Sequence, residues 1–301
     1  MLDPAQLAAL AAVHRRGAFD LAAAELHVTP SAISQRIKAL EERTGTLLIR
    51  RGQPCKATAT GLRLIRHHDE IALLERRLAQ DLPGLAPGPA TLRIAVNADS
   101  LATWVIPALA ATEGLLFDLV IDDQDFSQDW LRRGEVVAAI TSHPGPLQGC
   151  DTLALGALRY RATATPDYMA RWFPKGVSAS SLALAPTLTF SEKDQLQARW
   201  VAQRVKGTGR SILPTHRMAT SHGFVDACLA GLGWSMNPEP LIRAHLASGA
   251  LAELVPDTPL DTALYWQFTR LAAPSLAPLT AAIGRAARAT LVQGARNPAD
   301  A

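Results

Sequence analysis

The chain has 301 residues, 48% of them hydrophobic and 19% charged, with a formal net charge of +3. That apolar content excludes a disordered or fibrous chain, and no apolar run is long enough to span a bilayer. Cys55, Cys150 and Cys228 are far apart without C-x-x-C spacing, which excludes a disulfide framework or zinc ribbon and, with no signal-peptide pattern, predicts a reducing cytoplasm.

Residues 4–16 place Leu7, Leu10, Ala11 and Val13 on one face of an amphipathic helix stopped by Gly17. Phe19, Ala22, Ala23 and Leu26 form a second helix, whose alanines admit a neighbour closely. After a short turn, Thr29 is an N-cap candidate and Pro30 opens a third helix, running to Thr44 and ended by Gly45. Two helices across a three-residue turn make a helix-turn-helix. With Ile33, Ile37 and Leu40 facing inward, the outer face of the third helix carries Ser31, Ser34, Gln35 and Lys38, with Arg36 to one side. Those groups, with Thr29, suit base edges and phosphates. Residues 47–58 read as a wing, a short strand, a Gly/Pro loop and a returning strand. Its Arg50, Arg51 and Lys56 would flank the DNA backbone. Through residue 66, ten Lys/Arg stand against five Asp/Glu, so this module is +5 and the remainder −2, the balance of a nucleic-acid-binding head on a different kind of body. A long amphipathic helix follows over residues 60–82, with Leu62, Ile65, Ile71, Leu74 and Leu78 along it. Its stripe has no partner within the winged module, which predicts a dimer partner.

The run Phe19-x-x-Ala22-Ala23-x-x-Leu26, then Ser34-x-x-Ile37-x-x-Leu40-Glu41, Gly45, Leu48, Arg50 and Thr60-x-Gly61 resembles the N-terminal signature of the LysR-type transcriptional regulators. Pro30 and the Leu48-Ile49 pair depart from the usual residues at their positions. The resemblance implies a sequence-specific DNA-binding regulator, not an enzyme. It further implies double-stranded promoter DNA and RNA polymerase as partners, an activator role, and a homodimer or homotetramer.

Pro83, Gly84, Pro87, Gly88 and Pro89 crowd a short span, predicting a hinge between domains. Beyond it the chain alternates: strands over 92–96, 116–121 and 136–140 with helices over 100–111 and 126–133 between them. Further strands begin at 187–190, 215–218 and 234–236, with helices over 224–230 and 276–292. Unbroken apolar strands alternating with helices predict a parallel sheet covered on both faces. The resemblance implies the architecture in full. A winged helix-turn-helix (residues 1–60) is joined by a linker helix and hinge (61–88) to an α/β two-lobed effector domain of periplasmic-binding-protein-like fold (89–301). Lobe I would be 89–160 and 268–301 and lobe II 161–267, with the chain crossing near 159–162 and 265–269.

Ligands of open α/β sheets bind beyond the carboxyl ends of the strands. Those ends carry Asp99 and Ser100, with Thr103 one turn on; Asp122 and Asp123; Thr141 and Ser142; Asp194; and Ser221. Ser100 and Ser221 open helices, where free amides favour a carboxylate, while the acids around them favour cationic ends. A basic amino acid satisfies both and a simple dicarboxylate does not. The run Asn97-Ala98-Asp99-Ser100-Leu101-Ala102-Thr103-Trp104, together with Leu131-Arg132-Arg133-Gly134-Glu135, Trp172-Phe173-Pro174-Lys175-Gly176 and Leu264-Tyr265-Trp266, is similar to the ArgP/LysG branch of that family. The similarity implies L-lysine or L-arginine as effector and a basic-amino-acid exporter gene as target. We therefore assign Ser100 and Thr103 to the effector carboxylate, and Asp122, Asp123 or Asp194 to its cationic ends. Against catalysis, the histidines show no metal spacing or nucleophile partner. Gly231-x-Gly233 is only a fragment of a dinucleotide fingerprint, and no P-loop appears, so no metal and no cofactor is expected. The alternatives are a LysR-type regulator with another effector, or an architectural DNA-binding protein without one. The latter leaves some two hundred residues of α/β body unexplained.

Overall fold

A computed structural model describes residues 2–82, 90–204 and 213–294; the proline- and glycine-rich hinge at 83–89 lies outside the described residues. The head begins with α1 (Pro4–Arg16), where the Asp3 carboxylate accepts the Ala5 amide at 2.8 Å and Gly17, at φ +73°, ends the helix. Then come α2 (Phe19–Glu25) and α3 (Pro30–Thr44). Leu7, Leu10, Val13, Ala22, Ile33, Ile37 and Leu40 interlock as the buried core of the three helices. The wing is β1 (Ile49–Arg50) paired antiparallel with β2 (Lys56–Ala57).

The linker helix α4 (Ala59–Asp81) starts at Thr58, whose hydroxyl accepts the Gly61 amide at 3.2 Å. Gly61 passes so close to the wing that a Cβ there would lie 2.4 Å from the Leu48 carbonyl oxygen. The expectation that this helix has no partner within the winged module is corrected. It packs on α1, with Ile65 in the head core, and further along Leu73 is buried in the core of the body. Only the outward part of its stripe, Leu74 at 45% and Leu78 at 58% exposure, remains on the surface.

The body opens with β3 (Ala90–Val96), followed by a helical run made of α5 (Ala98–Ser100), a π-helical turn (Leu101–Val105) and α6 (Ile106–Ala110). Next are β4 (Leu115–Ile121), α7 (Ser127–Arg133) and β5 (Ala138–Thr141). These three strands form the predicted parallel unit, with β3 between β4 and β5. The chain then runs through β6 (Cys150–Ala164), α8 (Pro166–Trp172), α9 (Ala179–Leu182), β7 (Thr187–Thr189), α10 (Leu196–Arg204), β8 (Thr215–Arg217) and α11 (Ser221–Leu229). It closes with β9 (Ser235–Pro238), α12 (Glu239–Ala247), β10 (Ala252–Glu253), β11 (Leu260–Thr269) and α13 (Ala273–Thr290).

The prediction of a wholly parallel sheet is corrected. The seven-stranded sheet is mixed, because β11 runs antiparallel between β5 and β6, and β6 pairs antiparallel with β9 and β10. The 15-residue β6 changes partner along its length: Cys150 to Tyr160 face β11, and Tyr160 to Thr163 face β9. One strand thus ties the two halves of the body, and Tyr160 stands at the join. The second half adds a small parallel pair, β7 with β8. Trp104, Trp266 and Tyr160 are buried in the shared core, where Trp200 also packs against Trp234 with ring centres 5.7 Å apart and planes tilted by 51°.

Candidate DNA face and effector cleft

The outer face of α3 carries the predicted polar groups. Ser31, Gln35 and Lys38 are exposed, and Ser34 and Arg36 half-buried. The inward Ile33, Ile37 and Leu40 fix this rotation of the helix. Thr29 has a different job: its hydroxyl caps α3 by accepting the Ala32 amide at 3.2 Å. Lys38 lies 3.7 Å from Glu42 on the next turn, a weak exposed pair that leaves the ammonium available. In the wing Arg50 and Lys56 are exposed cross-strand neighbours, and the Arg51 guanidinium lies 5.4 Å from the Phe19 ring, tying the wing to α2. A protruding helix with a cationic wing beside it has the shape and charge of a major-groove reader with a backbone clamp.

In the body, the carboxyl ends of β3 and β4 meet the loop after β7 and Phe224 of α11 across a narrow cleft with a free volume of about 30 Å³. Asn97 and Asp99 enter from the end of β3, Asp122, Asp123 and Gln124 from the end of β4, and Asp194 from the opposite half. Phe190, Leu196, Phe224 and Met236 supply an apolar wall.

Asp99 lies at the join of the two halves, where the Tyr160 hydroxyl donates to its Oδ2 at 2.8 Å. Burial pushes the Asp99 carboxyl above its ordinary range, while the hydroxyls of Ser221 and Tyr160 pull it back and Asp194 adds to the rise. The Tyr160 phenol is raised in turn, first by burial and then by Asp99. Asp123 is raised to about 6, chiefly by burial, with Asp125 and Asp194 adding to it. Its Oδ1 accepts the Asp125 amide at 2.9 Å. Asn97 is 2% exposed; its Nδ2 donates to Gln124 Oε1 at 3.3 Å, and its Oδ1 has no hydrogen-bond partner among the described residues. Raised carboxyls and an acceptor without a donor make this end of the cleft short of N–H groups and positive charge.

The other predicted residues divide. Asp122 is engaged on both oxygens, Oδ2 by Trp130 Nε1 at 2.8 Å and Oδ1 by Lys193 Nζ at 3.3 Å. Asp194 accepts the Leu196 amide at 3.0 Å and the Phe190 amide at 2.9 Å, so it also shapes the start of α10. Ser221 is buried at the head of α11, beside Asp99 but outside the cleft lining. Four further expected contacts lie off the cleft. Ser100 is fully buried behind it. The Thr103 hydroxyl donates to the Asp99 carbonyl at 2.6 Å, the usual helix-interior alternative for threonine. Thr141 donates to the Gln124 carbonyl at 3.0 Å and accepts the His143 amide at 3.2 Å, and Ser142 bonds Asp125. The assignment of Ser100 and Thr103 to a carboxylate is therefore not supported by this geometry. Conversely, Asn97, Gln124, Phe190, Leu196, Phe224 and Met236 went unassigned. The first two stand at strand ends and were legible by position, whereas the apolar four look like ordinary core residues in a sequence.

No helix among the described residues is long and apolar enough to cross a membrane. None of their His, Cys, Asp and Glu side chains cluster in threes as metal ligands do. The model of the bacterial regulatory helix-turn-helix protein, lysR family, matches residues 4–62, and that of the LysR substrate binding domain matches residues 86–288. The regulator LysG of Mycobacterium tuberculosis is 42% identical over 295 residues, 97% of this chain and 96% of its own. The regulator ArgP of Pseudomonas aeruginosa is 41% identical, covering 93% and 94%. The solved structure of full-length LysG from Corynebacterium glutamicum with bound effector Arg is 35% identical, covers 96% of this chain and 99% of that one, and superposes with a TM-score of 0.69. The winged head, the linker helix and the cleft-bearing body are thus the parts of one recognised design, and the chain belongs to the LysR family of DNA-binding transcriptional regulators.

Proposed function

We propose that the regulator senses L-lysine or L-arginine in the cleft and controls a gene for basic-amino-acid export. The observation that carries this reading is the buried Asn97 Oδ1 without a donor, beside Asp99 and the raised Asp123 and facing the apolar wall. An α-ammonium or a terminal cation supplies the missing N–H groups, and an aliphatic stem of three or four methylenes covers Phe190, Leu196, Phe224 and Met236. The effector carboxylate would go to the first turn of α11, at Ser221, rather than to Ser100 and Thr103. Arginine as the bound effector of the Corynebacterium relative is a ligand of this charge type. Ser31, Ser34, Gln35, Arg36 and Lys38 would contact the groove, with Arg50, Arg51 and Lys56 on phosphates. The working form would be a cytoplasmic homodimer or homotetramer recruiting RNA polymerase at a promoter, without a cofactor.

A thermal-shift screen of the full-length protein against the twenty amino acids tests the reading. L-lysine, L-arginine or both should raise Tm, by several degrees at 100 times Kd, where ligation contributes about 2.7 kcal/mol. A folded sample that responds to neither would refute it.

A further inference from the structure

The two halves of the body are clasped across the cleft by the chain's own cations. Lys193, in the loop after β7, places its Nζ 3.3 Å from Asp122 Oδ1 and 4.6 Å from the centre of the Phe126 ring. Both of those groups belong to the segment after β4, on the opposite half. Arg199 on α10 pairs with Asp125 in the same direction. Asp122 lines the cleft. A carboxylate with an aromatic face beside it is a receptor for a lone cation at the end of an alkyl stem, and Lys193 is such a stem.

We infer that Lys193 is a tethered competitor of the effector's terminal cation. It holds the Asp122–Phe126 subsite, and L-lysine or L-arginine must displace it to bind. The inference rests on the proposed effector class and concerns the threshold at which that effector is sensed. Tethering gives Lys193 a high effective concentration at Asp122. Yet its side chain is 51% exposed against 18% for Asp122, so water and salt keep the clasp weak enough to be opened. A side chain exposed to this extent can be exchanged with little effect on folding.

The test is calorimetric titration of the full-length protein with L-lysine, L-arginine and L-norleucine, which has the lysine stem without its terminal charge. Lys193→Met should bind L-lysine and L-arginine about three- to tenfold more tightly, the worth of an exposed ion pair with a ring contact. Lys193→Arg restores a tethered cation and should stay within about twofold of the wild type. L-norleucine should gain nothing from Lys193→Met, because it has no charge to place on the vacated Asp122. Unchanged or weaker L-lysine and L-arginine binding by Lys193→Met, or an equal gain for L-norleucine, would overturn the inference while leaving the effector assignment standing, provided that the wild type binds and Asp123→Asn does not. Failure of the wild type to bind either basic amino acid would overturn the assignment and this inference with it.

Discussion

Replacing Asp123 by Asn separates what this carboxylate costs the fold from what it gives the ligand. Burial raises its carboxyl from 3.8 to about 6, so the ionised form is disfavoured in the folded protein. A group whose folded pKa lies above its unfolded one contributes stability that is fully present below about 3.8 and lost as pH rises through about 6. At pH 8 the loss is complete, roughly two units at 1.4 kcal/mol each, or about 1–3 kcal/mol once water at the cleft mouth is allowed for. Asn keeps the oxygen that accepts the Asp125 amide but carries no charge. Without added effector, Asp123→Asn should therefore melt higher than the wild type at pH 8, by about 2–4 °C per kcal/mol recovered. The effector should respond in the opposite sense. Removing one partner of a buried charge pair costs about 3–5 kcal/mol, so Kd for L-lysine should rise between about two and nearly four orders of magnitude. Calorimetry and a melting series on the same samples read both effects. A variant that binds L-lysine as the wild type does would refute the reasoning, whatever its melting temperature.

Effector affinity should fall as pH is lowered through about 6, because protonated Asp123 no longer attracts a cation; a pH 5 titration should give Kd about tenfold above that at pH 8, and a flat profile would remove Asp123 from the contact. Gln35→Ala, on the exposed face of α3, should weaken operator binding in gel shifts by about 1–3 kcal/mol while leaving effector Kd unchanged. Lys56→Ala in the wing should weaken binding to all DNA sequences alike and lower the slope of log K against log salt by about one. Leu78→Glu, on the outward stripe of α4, should shift the protein toward a monomer in analytical ultracentrifugation without lowering the far-ultraviolet helix signal.

The head was legible nearly throughout, because its helices carry their own punctuation: Thr29 as a cap, Pro30 as a first residue, Gly17 and Gly45 as stops; the caps Asp3 and Thr58 emerge only with the structure. The parallel unit β3, β4 and β5 was legible for a similar reason, its strands being apolar runs set between helices. The strands β6 and β11 were not, although β6 bears a period-two signal: buried Leu158, Tyr160 and Ala162 alternate with half-buried Arg159 and Arg161. Those arginines sit in ion pairs, Arg159 with Asp261 on β11 and Arg161 with Glu239 and Glu253. Partners 78 to 102 residues away carry no local mark. In the cleft, strand ends gave the acids but not their employment. Asp99, Asp122, Asp123 and Asp194 look alike as letters, and only the approach of Tyr160, Trp130, Lys193 and the backbone amides separates them.

That separation suggests how ligand occupancy reaches the geometry of the body. Asp99 and Tyr160 meet where β6 changes from β11 to β9, so a cation that draws charge onto Asp99 acts at the strand joining the halves. Lys193 and Arg199 clasp the same two halves at the cleft mouth. A ligand whose cation displaced Lys193 from Asp122 would exchange one contact between the halves for its own, and could shift the angle between halves only by its difference in affinity for the two arrangements. The body is joined to the head through α4, whose Leu73 is embedded in the body core and whose Ile65 is embedded in the head core. In the proposed homodimer, a stiff helix gripped at both ends would pass a small rotation of the body to the two α3 faces, whose spacing would have to match one turn of DNA. The mechanism then requires effector-induced change in DNA bending or footprint length to survive Gln35→Ala, which touches only the groove contact, and to vanish in Asp123→Asn.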